Sequence, residues 1–282
     1  MTEITIRYSR GDCIYYKSFE EIIELEDYHL IRYIVCRSCN LIRLPDILPR
    51  LLEGLYCENN FIKELPKLPE ILKDLRCCNN QLTSIPELPA ELEILYCNNN
   101  NLTQLPDLIY DMHLKFNIYQ KESPNYKYIE DSRVNKLFCN YNQITHLPKL
   151  PHGLSHLECH HNNIAEFPKL NELINYINIS FNKLKKIPVD LSRLHYLNYL
   201  VYNNNEVTTS IPYLNENIDT LICSDNPISN FCYTLPDKMR FFDCMNTNIK
   251  SIPNIPKYLR KLYLDDELFE NTKNKFPDFF NE

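Results

Sequence analysis

The sequence predicts a β-rich solenoid, a coil of about 12 turns in which every turn adds one short parallel strand. A motif of the form LxxLxCxxNxLxxLP recurs along the chain, most clearly at Leu72 to Pro86, Leu92 to Pro106 and Leu154 to Pro168. The chain also has 3 glycines and 18 prolines in 282 residues, which is too little glycine for a fold built from tight hairpins. Stacked repeats that share one continuous core satisfy both observations.

One inward residue, usually a cysteine, marks each turn. Successive markers are 20 or 21 residues apart, with one step of 23 between Ile179 and Tyr202. The markers are Cys36, Cys57, Cys77, Cys97, Ile118, Cys139, Cys159, Ile179, Tyr202, Cys223, Cys244 and Leu264. Three positions later, asparagine occurs at Asn60, Asn80, Asn100, Asn142, Asn162, Asn182, Asn205 and Asn226.

Each motif position has a physical role in such a coil. The LxxLxC stretch predicts a strand whose alternate residues point inward, stacked about 4.8 Å from the next strand. An asparagine amide can both donate to and accept from buried backbone groups in its own and the adjacent turn. Proline in the LPxLP stretch favours extended backbone. We therefore expect a horseshoe with a parallel sheet on its concave side and an irregular or polyproline-like convex side.

These motifs resemble the short, LPX-type leucine-rich repeats of secreted bacterial effector proteins. The enrichment in Cys, Asn, Ile, Lys and Tyr is also similar to that of leucine-rich-repeat proteins encoded by large DNA viruses of amoebae. The resemblance covers Leu30 to Phe269. It implies the leucine-rich-repeat fold and a scaffold role, but it implies no particular partner, because members of this fold differ in what they bind.

The repeats divide the chain into three predicted parts. Residues 1–27 form an N-terminal cap, a hairpin followed by a short helix that a Ser18 and Glu21 capping box opens and that runs to Leu25. Residues 28–269 form the solenoid, with an irregular turn at 108–133 in which His113, Phe116 and Ile118 point inward. Its 120–131 stretch is a second candidate for recognition. Residues 270–282 form a C-terminal cap or tail.

Charge and composition limit the partners. The net charge of −7 argues against nucleic acid, which binds clustered Lys and Arg. No apolar stretch approaches the roughly 18 residues of a membrane helix. Twelve cysteines without an export signal indicate a reducing, cytoplasmic location. We expect a monomer whose partner is a protein, with a host protein among the candidates.

Two clusters could carry chemistry. A straight column of cysteines is too widely spaced for disulfides and cannot surround one metal ion. His156 and His160 flank Glu158 on one strand, but they lie about 13 Å apart along it, too far for one ion. Cys78 lies beside Arg76, which we expect to lower its pKa and to make it the most reactive thiol on the concave face, although no histidine is near enough to form a catalytic pair. The sequence therefore predicts no catalytic residue, metal site or cofactor.

The predicted binding surface consists of the strand residues that point away from the core. It contains Tyr33, Tyr56, Arg76, Ile94, Tyr96, Phe138, His156, Glu158, Tyr176 and Tyr199. Exposed aromatic residues on a rigid surface are typical of interface hot spots, which favours a non-enzymatic protein-binding scaffold. The alternative is that tyrosine is merely abundant, 20 of 282 residues, and common in strands. A structural or virion-associated protein is the second function considered, and a metal-dependent or Cys-dependent enzyme is the third.

Overall fold

A computed structural model describes residues 3–8, 11, 13–108 and 133–280. The chain divides into two compact units, Met1–Leu154 and Ser155–Glu282. Each unit is a parallel β-solenoid whose strands are mostly three residues long. In the described part of the chain, no helix is long and apolar enough to cross a membrane.

The sheet of unit 1 begins with an antiparallel hairpin and continues as parallel strands. The strands are β1 (Ile4–Arg7), β2 (Ile14–Tyr16), β3 (Tyr33–Val35), β4 (Gly54–Tyr56), β5 (Asp74–Arg76), β6 (Ile94–Tyr96) and β7 (Lys136–Phe138). Strand β1 pairs antiparallel with both β2 and β3, and each strand from β3 to β7 pairs parallel with the next. The hairpin thus lies at one edge of this sheet.

The chain between the hairpin and β3 forms helix α1 (Phe19–Ile23) and a 3-10 helix (Tyr28–Leu30). Phe19 and Ile22 of α1 are buried. The expected capping box does not form, because the Ser18 side chain makes no capping bond and the Glu21 carboxylate accepts from the Lys17 amide at 3.1 Å. Helix α1 also ends at Ile23, two residues earlier than expected.

Unit 2 continues the same pattern with six parallel strands. They are β8 (His156–Glu158), β9 (Tyr176–Asn178), β10 (Tyr199–Val201), β11 (Thr220–Ile222), β12 (Phe241–Asp243) and β13 (Lys261–Tyr263). Helices α2 (Asp266–Lys275) and α3 (Pro277–Phe280) follow β13. Helix α2 is amphipathic, and it buries Leu268 and Thr272 on one side.

The core is made of the residues that the repeat pattern assigns to it. In each strand from β3 to β12 the central residue points inward, as does the marker that follows, and Leu55 and Cys57 are both 0% exposed. All the described markers are fully buried except Leu264, which is half-buried after the last strand. The prediction of a parallel β-solenoid with an inward cysteine column is confirmed.

Strands β6 and β7 pair directly, although the interval between their markers, Cys97 and Cys139, is 42 residues and thus twice the usual step. Tyr96 lies opposite Phe138, and the Cys97 amide donates to the Phe138 carbonyl at 2.8 Å. No strand therefore lies between β6 and β7, and the expectation of an intervening turn marked by Ile118 is wrong. The rest of that expectation, with His113 and Phe116 inward and a loop over 120–131, concerns residues outside the described ranges.

The asparagine ladder is present as the repeat predicts. The Asn60 Nδ2 donates to the carbonyls of Cys36, Cys57 and Glu58 at 2.8, 3.0 and 3.2 Å. Its Oδ1 accepts from the amides of Cys39 and Leu41, both at 3.0 Å. One side chain thus satisfies five backbone groups in two adjacent turns.

The tight bend after each strand uses a left-handed residue that is not glycine. Two positions after the marker, φ lies between 50° and 58° in ten turns. The residues are Ser38, Asn59, Asn79, Asn99, Tyr141, His161, Phe181, Asn204, Asp225 and Asn246. Asparagine and aspartate tolerate this conformation better than other side chains, which explains how a chain with so little glycine can turn so often.

Candidate binding surface

The first and third residues of each strand point away from the core and form what we call the sheet face of each unit. The structure places all ten predicted residues on these faces, and all ten are half-buried. Unit 1 contributes Tyr33, Tyr56, Arg76, Ile94, Tyr96 and Phe138, and unit 2 contributes His156, Glu158, Tyr176 and Tyr199.

The third strand positions of unit 1 form a continuous stack of rings and a guanidinium group. The Arg76 Cζ lies 5.1 Å from the ring centroid of Tyr56 and 5.0 Å from that of Tyr96. The Tyr96 and Phe138 rings are stacked with centroids 4.1 Å apart and planes 9° apart. On the other side, the Arg37 Cζ lies 5.3 Å from the Tyr56 centroid. We call Arg37, Tyr56, Arg76, Tyr96 and Phe138 the unit 1 stack.

Asp74, which is not one of the ten predicted residues, holds this stack in position. The Arg76 Nη2 donates to the Asp74 Oδ2 at 2.9 Å, and the Arg76 Nε lies 3.1 Å from Oδ1. The Tyr56 hydroxyl donates to the same carboxylate at 3.2 Å. Burial, followed by the negative charge of Asp74, raises the pKa of Tyr56, so its hydroxyl keeps its proton. Alternation within β5 places Asp74 and Arg76 on one face, a signal that the sequence contains.

Gly54 also lies on this face and is not one of the ten predicted residues. A Cβ atom at this position would lie 2.7 Å from the Tyr33 Cδ1 and 3.0 Å from the Tyr56 hydroxyl. Glycine therefore lets the Tyr33 ring lie across β4. The opposite side of that ring faces the Arg7 guanidinium, whose Cζ is 4.1 Å from the ring centroid.

Ion pairs flank the unit 1 stack on both sides. Ahead of the strands, Glu53 pairs with both Arg32 and Lys73, and the Lys73 Nζ lies 3.0 Å from the Glu53 Oε2. The bond from Lys73 lowers the pKa of Glu53, with a further contribution from Arg32. After the markers, Arg37 Nε donates to Glu58 at 2.9 Å. These cations are therefore already matched by carboxylates of the same chain.

Unit 2 has its own aromatic stack at the first strand positions. The His156 and Tyr176 rings stack at 4.2 Å with planes 4° apart, and the Tyr176 and Tyr199 rings at 4.9 Å with planes 10° apart. Burial, helped by the nearby Glu158, raises the pKa of Tyr176 to about 12. The His156 Nε2 lies 3.2 Å from the Glu158 Oε1. This part of the face combines three planar rings with the Glu158 carboxylate.

The histidine cluster beside this stack has internal contacts. The Nδ1 atoms of His160 and His161 are 2.7 Å apart, and His160 Nε2 lies 4.0 Å from Glu158 Oε2. Burial lowers the pKa of both His160 and His161, so the neutral imidazole is favoured. Among the described residues, no three or more His, Cys, Asp or Glu side chains are grouped so that they could hold a metal ion.

Most of the cysteine side chains are buried thiols. All twelve cysteines are free, and eight of them are buried at marker positions. Burial raises the pKa of Cys77 and Cys97 well above the ordinary value. It also raises the pKa of half-buried Cys78, because desolvation outweighs the opposing effects of Arg37 and Arg76. The expectation that Arg76 lowers the pKa of Cys78 is therefore wrong, whereas the rank of Cys78 among the thiols of the concave face stays a prediction. Cys13, in contrast, is exposed.

Comparison with solved structures identifies this architecture as the leucine-rich-repeat fold. The chain resembles YopM, described as a leucine-rich effector protein from Yersinia pestis, with a TM-score of 0.64, 24% identity, and coverage of 83% of this chain and 65% of that one. It also resembles the functional domain of InlJ from Listeria monocytogenes, described as including a cysteine ladder, with a TM-score of 0.59, 20% identity, and coverage of 92% and 57%. A leucine-rich-repeat protein of Leptospira interrogans is similar with a TM-score of 0.55 and 22% identity, and the match covers 80% of this chain and 64% of that one.

These likenesses show the fold and leave the activity open. The chain spans less than two thirds of the length of each of these three proteins. No family model and no curated relative matches the sequence. The protein is thus a leucine-rich-repeat protein by fold, and its function has to be argued from its own surface.

Proposed function

We propose that this protein is a non-enzymatic protein-interaction scaffold that binds a partner on the concave face formed by its strands. The observation that carries the proposal is the unit 1 stack. Its aromatic and arginine side chains are half-exposed, yet stacking and the Asp74 carboxylate hold them in one arrangement. Tyr, Trp and Arg in such settings are the residues that most often dominate binding energy.

Preorganisation is the physical reason why this face suits binding. A flexible side chain loses about 0.5–1.5 kcal/mol of conformational freedom when an interface immobilises it. Arg76 and Tyr96 are already restrained by their neighbours, so most of that loss has occurred during folding. We propose Tyr56, Tyr96 and Phe138 as anchors, with Arg76 and Glu158 setting the charge register on their respective units.

The charge pattern favours a protein over a nucleic acid as partner. Phosphate binding requires unpaired cations that can replace counterions. Arg32, Arg37, Lys73 and Arg76 all pair with carboxylates on or beside the unit 1 sheet face. A nucleic acid would have to compete with these pairs, whereas a protein can use the apolar edges of the stacked rings.

The remaining expectations are also part of the proposal. We propose a monomer in a reducing, cytoplasmic location, in which the twelve cysteines of the sequence remain thiols. We also propose that the repeats are of the short LPX type, supported by the recurrent LPxLP segments, and that the protein is effector-like or viral, with a host protein as partner.

The test starts from a tagged pull-down out of the native cell, followed by titration calorimetry with the purified partner. Tyr96→Ala and Phe138→Ala should each weaken binding by at least about 1 kcal/mol, or roughly fivefold. Tyr196→Ala is the matched control, because Tyr196 is 61% exposed but lies outside the sheet face, and it should leave the affinity unchanged. Full affinity in the Tyr96→Ala and Phe138→Ala double variant would refute the proposed surface.

A further inference from the structure

Unit 2 contains a small groove away from its parallel strands, lined by Val189, Asp190, Tyr213, Cys232 and Tyr233. Its volume is about 320 Å³. Val189 is 67% exposed, Tyr233 60% and Tyr213 42%, although all three are apolar or aromatic. We call it the Tyr213 groove.

Backbone pairing between neighbouring turns builds this groove. Asp190 and Tyr213 form a parallel bridge, and so do Ile211 and Phe231. The Tyr213 amide donates to the Val189 carbonyl at 2.9 Å, and the Cys232 amide donates to the Ile211 carbonyl at 2.9 Å. The Tyr213 and Tyr233 rings lie 4.4 Å apart between centroids, with planes tilted by 39°. The rings are therefore fixed before any ligand arrives.

The groove carries one negative charge and no cation among its lining residues. The Asp190 Oδ1 accepts from the Ser192 amide at 2.8 Å. Hydrogen bonds from Ser192, and more weakly the charge of Arg193, lower the pKa of Asp190, so the carboxylate is ionised at neutral pH. Among the described residues, no cation forms an ion pair with Asp190 within 4.0 Å. The carboxylate is exposed and can therefore accept from a cationic ligand in addition to Ser192.

The same set of groups occurs on the sheet face of unit 1, where it already contains its cation. There the Arg76 guanidinium lies between two tyrosine rings, 5.1 and 5.0 Å from their centroids, and donates to the Asp74 carboxylate. The Tyr213 groove has two tyrosine rings and a carboxylate but no guanidinium among its lining residues. Because its two rings contact each other with centroids 4.4 Å apart, a guanidinium would stack on the outer face of one ring and not between the two. A planar guanidinium can stack on a ring and donate to a carboxylate at the same time, which a lysine ammonium cannot do.

We propose that the Tyr213 groove binds an arginine side chain of a protein partner. The guanidinium stacks on the exposed Tyr233 ring and pairs with the Asp190 carboxylate, while the aliphatic stem covers Val189. The groove shares no residue with the sheet face of either unit. Failure of binding at one surface would therefore not exclude binding at the other.

The proposal can be tested without an identified partner by fluorine NMR on the full chain labelled with 3-fluorotyrosine. Tyr213→Phe and Tyr233→Phe assign the two resonances. Titration with N-acetylarginine methylamide should shift both resonances, and the lysine analogue should bind at least about fivefold more weakly. The resonance of Tyr196, an exposed tyrosine outside the groove, should stay in place.

Asp190→Asn provides the decisive variant, because it removes the charge at an exposed position and keeps the shape. It should weaken arginine binding at least about fivefold, while the protein retains its circular dichroism spectrum. Equal binding of the arginine and lysine analogues would overturn the assignment to arginine. An unchanged affinity in Asp190→Asn, or no shift of either resonance up to tens of millimolar ligand, would overturn the site itself.

Discussion

The ring of Tyr96 stacks on the ring of Phe138 with centroids 4.1 Å apart, although 41 residues separate the two in sequence. Stacked aromatic pairs contribute about 0.5–1.5 kcal/mol beyond the area they bury. A double-mutant cycle with Tyr96→Leu and Phe138→Leu should therefore give a coupling energy in that range, measured by urea unfolding. Tyr96→Phe keeps the stack and should change the free energy of unfolding by less than about 0.5 kcal/mol. Strictly additive leucine variants would show that the rings do not support each other in solution.

The asparagine ladder allows a matched pair of substitutions within one turn. Asn100 Nδ2 donates to the carbonyls of Cys77 and Cys97, both at 3.1 Å, and Oδ1 accepts from the Leu82 amide at 2.9 Å. Asn100→Ala leaves these buried groups unpaired and should lower the free energy of unfolding by about 1–3 kcal/mol. Asn98 directly follows the marker Cys97 and is half-buried, so Asn98→Ala should lower the free energy of unfolding by less than about 0.5 kcal/mol. Chemical unfolding measures both, and equal losses would contradict the register described for this turn.

Glycine is required at position 54 but not at position 153. A Cβ at Gly54 would lie 2.7 Å from the Tyr33 Cδ1, so Gly54→Ala should destabilise the protein by about 1–3 kcal/mol. Tyr33→Ala removes this contact and leaves the 3.0 Å approach to the Tyr56 hydroxyl, so Gly54→Ala should destabilise the Tyr33→Ala variant much less than it destabilises the natural sequence. At Gly153 nothing lies within 4 Å of the added atom, so Gly153→Ala should be neutral or stabilising by up to about 1 kcal/mol. Thermal unfolding distinguishes these outcomes, and an equal loss at both glycines would argue against the Tyr33 contact.

Thiol labelling should follow burial. Iodoacetamide at pH 7.5, followed by peptide mass spectrometry, should modify Cys13 first, because it is exposed. Cys77, Cys97 and Cys139 should stay unmodified in the native protein, because they are buried. Since desolvation raises the pKa of Cys78, its thiolate fraction is small at neutral pH and its labelling rate should keep rising above the ordinary thiol pKa of about 8.5. Fast labelling of Cys78 at pH 7.5 would contradict this assignment.

Some features of the molecule could be predicted from local chemistry and others could not. The strand, its inward marker and the asparagine ladder follow from one turn of sequence, because each residue contacts only its own and the adjacent turns. The side-chain arrangement on the sheet face could be predicted only in part. Alternation places Tyr56 and Arg76 outside the core, but the pairing of Arg76 with Asp74 depends on which rotamers the neighbouring rings allow.

Counting residues fails where the chain inserts a segment of repeat length. The 42 residues from Cys97 to Cys139 equal two regular steps, so the spacing alone favours an extra turn. Pairing in a sheet depends on backbone hydrogen bonds and not on interval length, and here the Cys97 amide donates directly to Phe138. Lys121 stands where asparagine is expected, but so do Cys39 and Thr247 in turns that form, so that position does not distinguish the two possibilities.

The direct pairing of β6 with β7 predicts that the inserted residues can be removed. Leu108 and Val134, at the two ends of the insertion, are buried at positions equivalent to Leu88 and Leu92 in the preceding turn. Replacing residues 109–133 by Pro-Ala-Glu, the sequence between Leu88 and Leu92, shortens the interval between Cys97 and Cys139 from 42 residues to 20, the interval between Cys77 and Cys97. Loop closure then costs less, so the free energy of unfolding should stay constant or rise by up to about 2 kcal/mol.

Among the described residues, the replacement removes the ion pair between Arg133 and Glu91, which is largely exposed and should contribute little. Deleting residues 89–91 instead provides the control, because it shortens a regular turn from 20 residues to 17 and should abolish cooperative unfolding. Circular dichroism and urea unfolding of the two variants measure the difference. If the chain with the shortened insertion loses its cooperative transition as the control does, then residues 109–133 are needed for the fold and the direct pairing of β6 with β7 is incorrect.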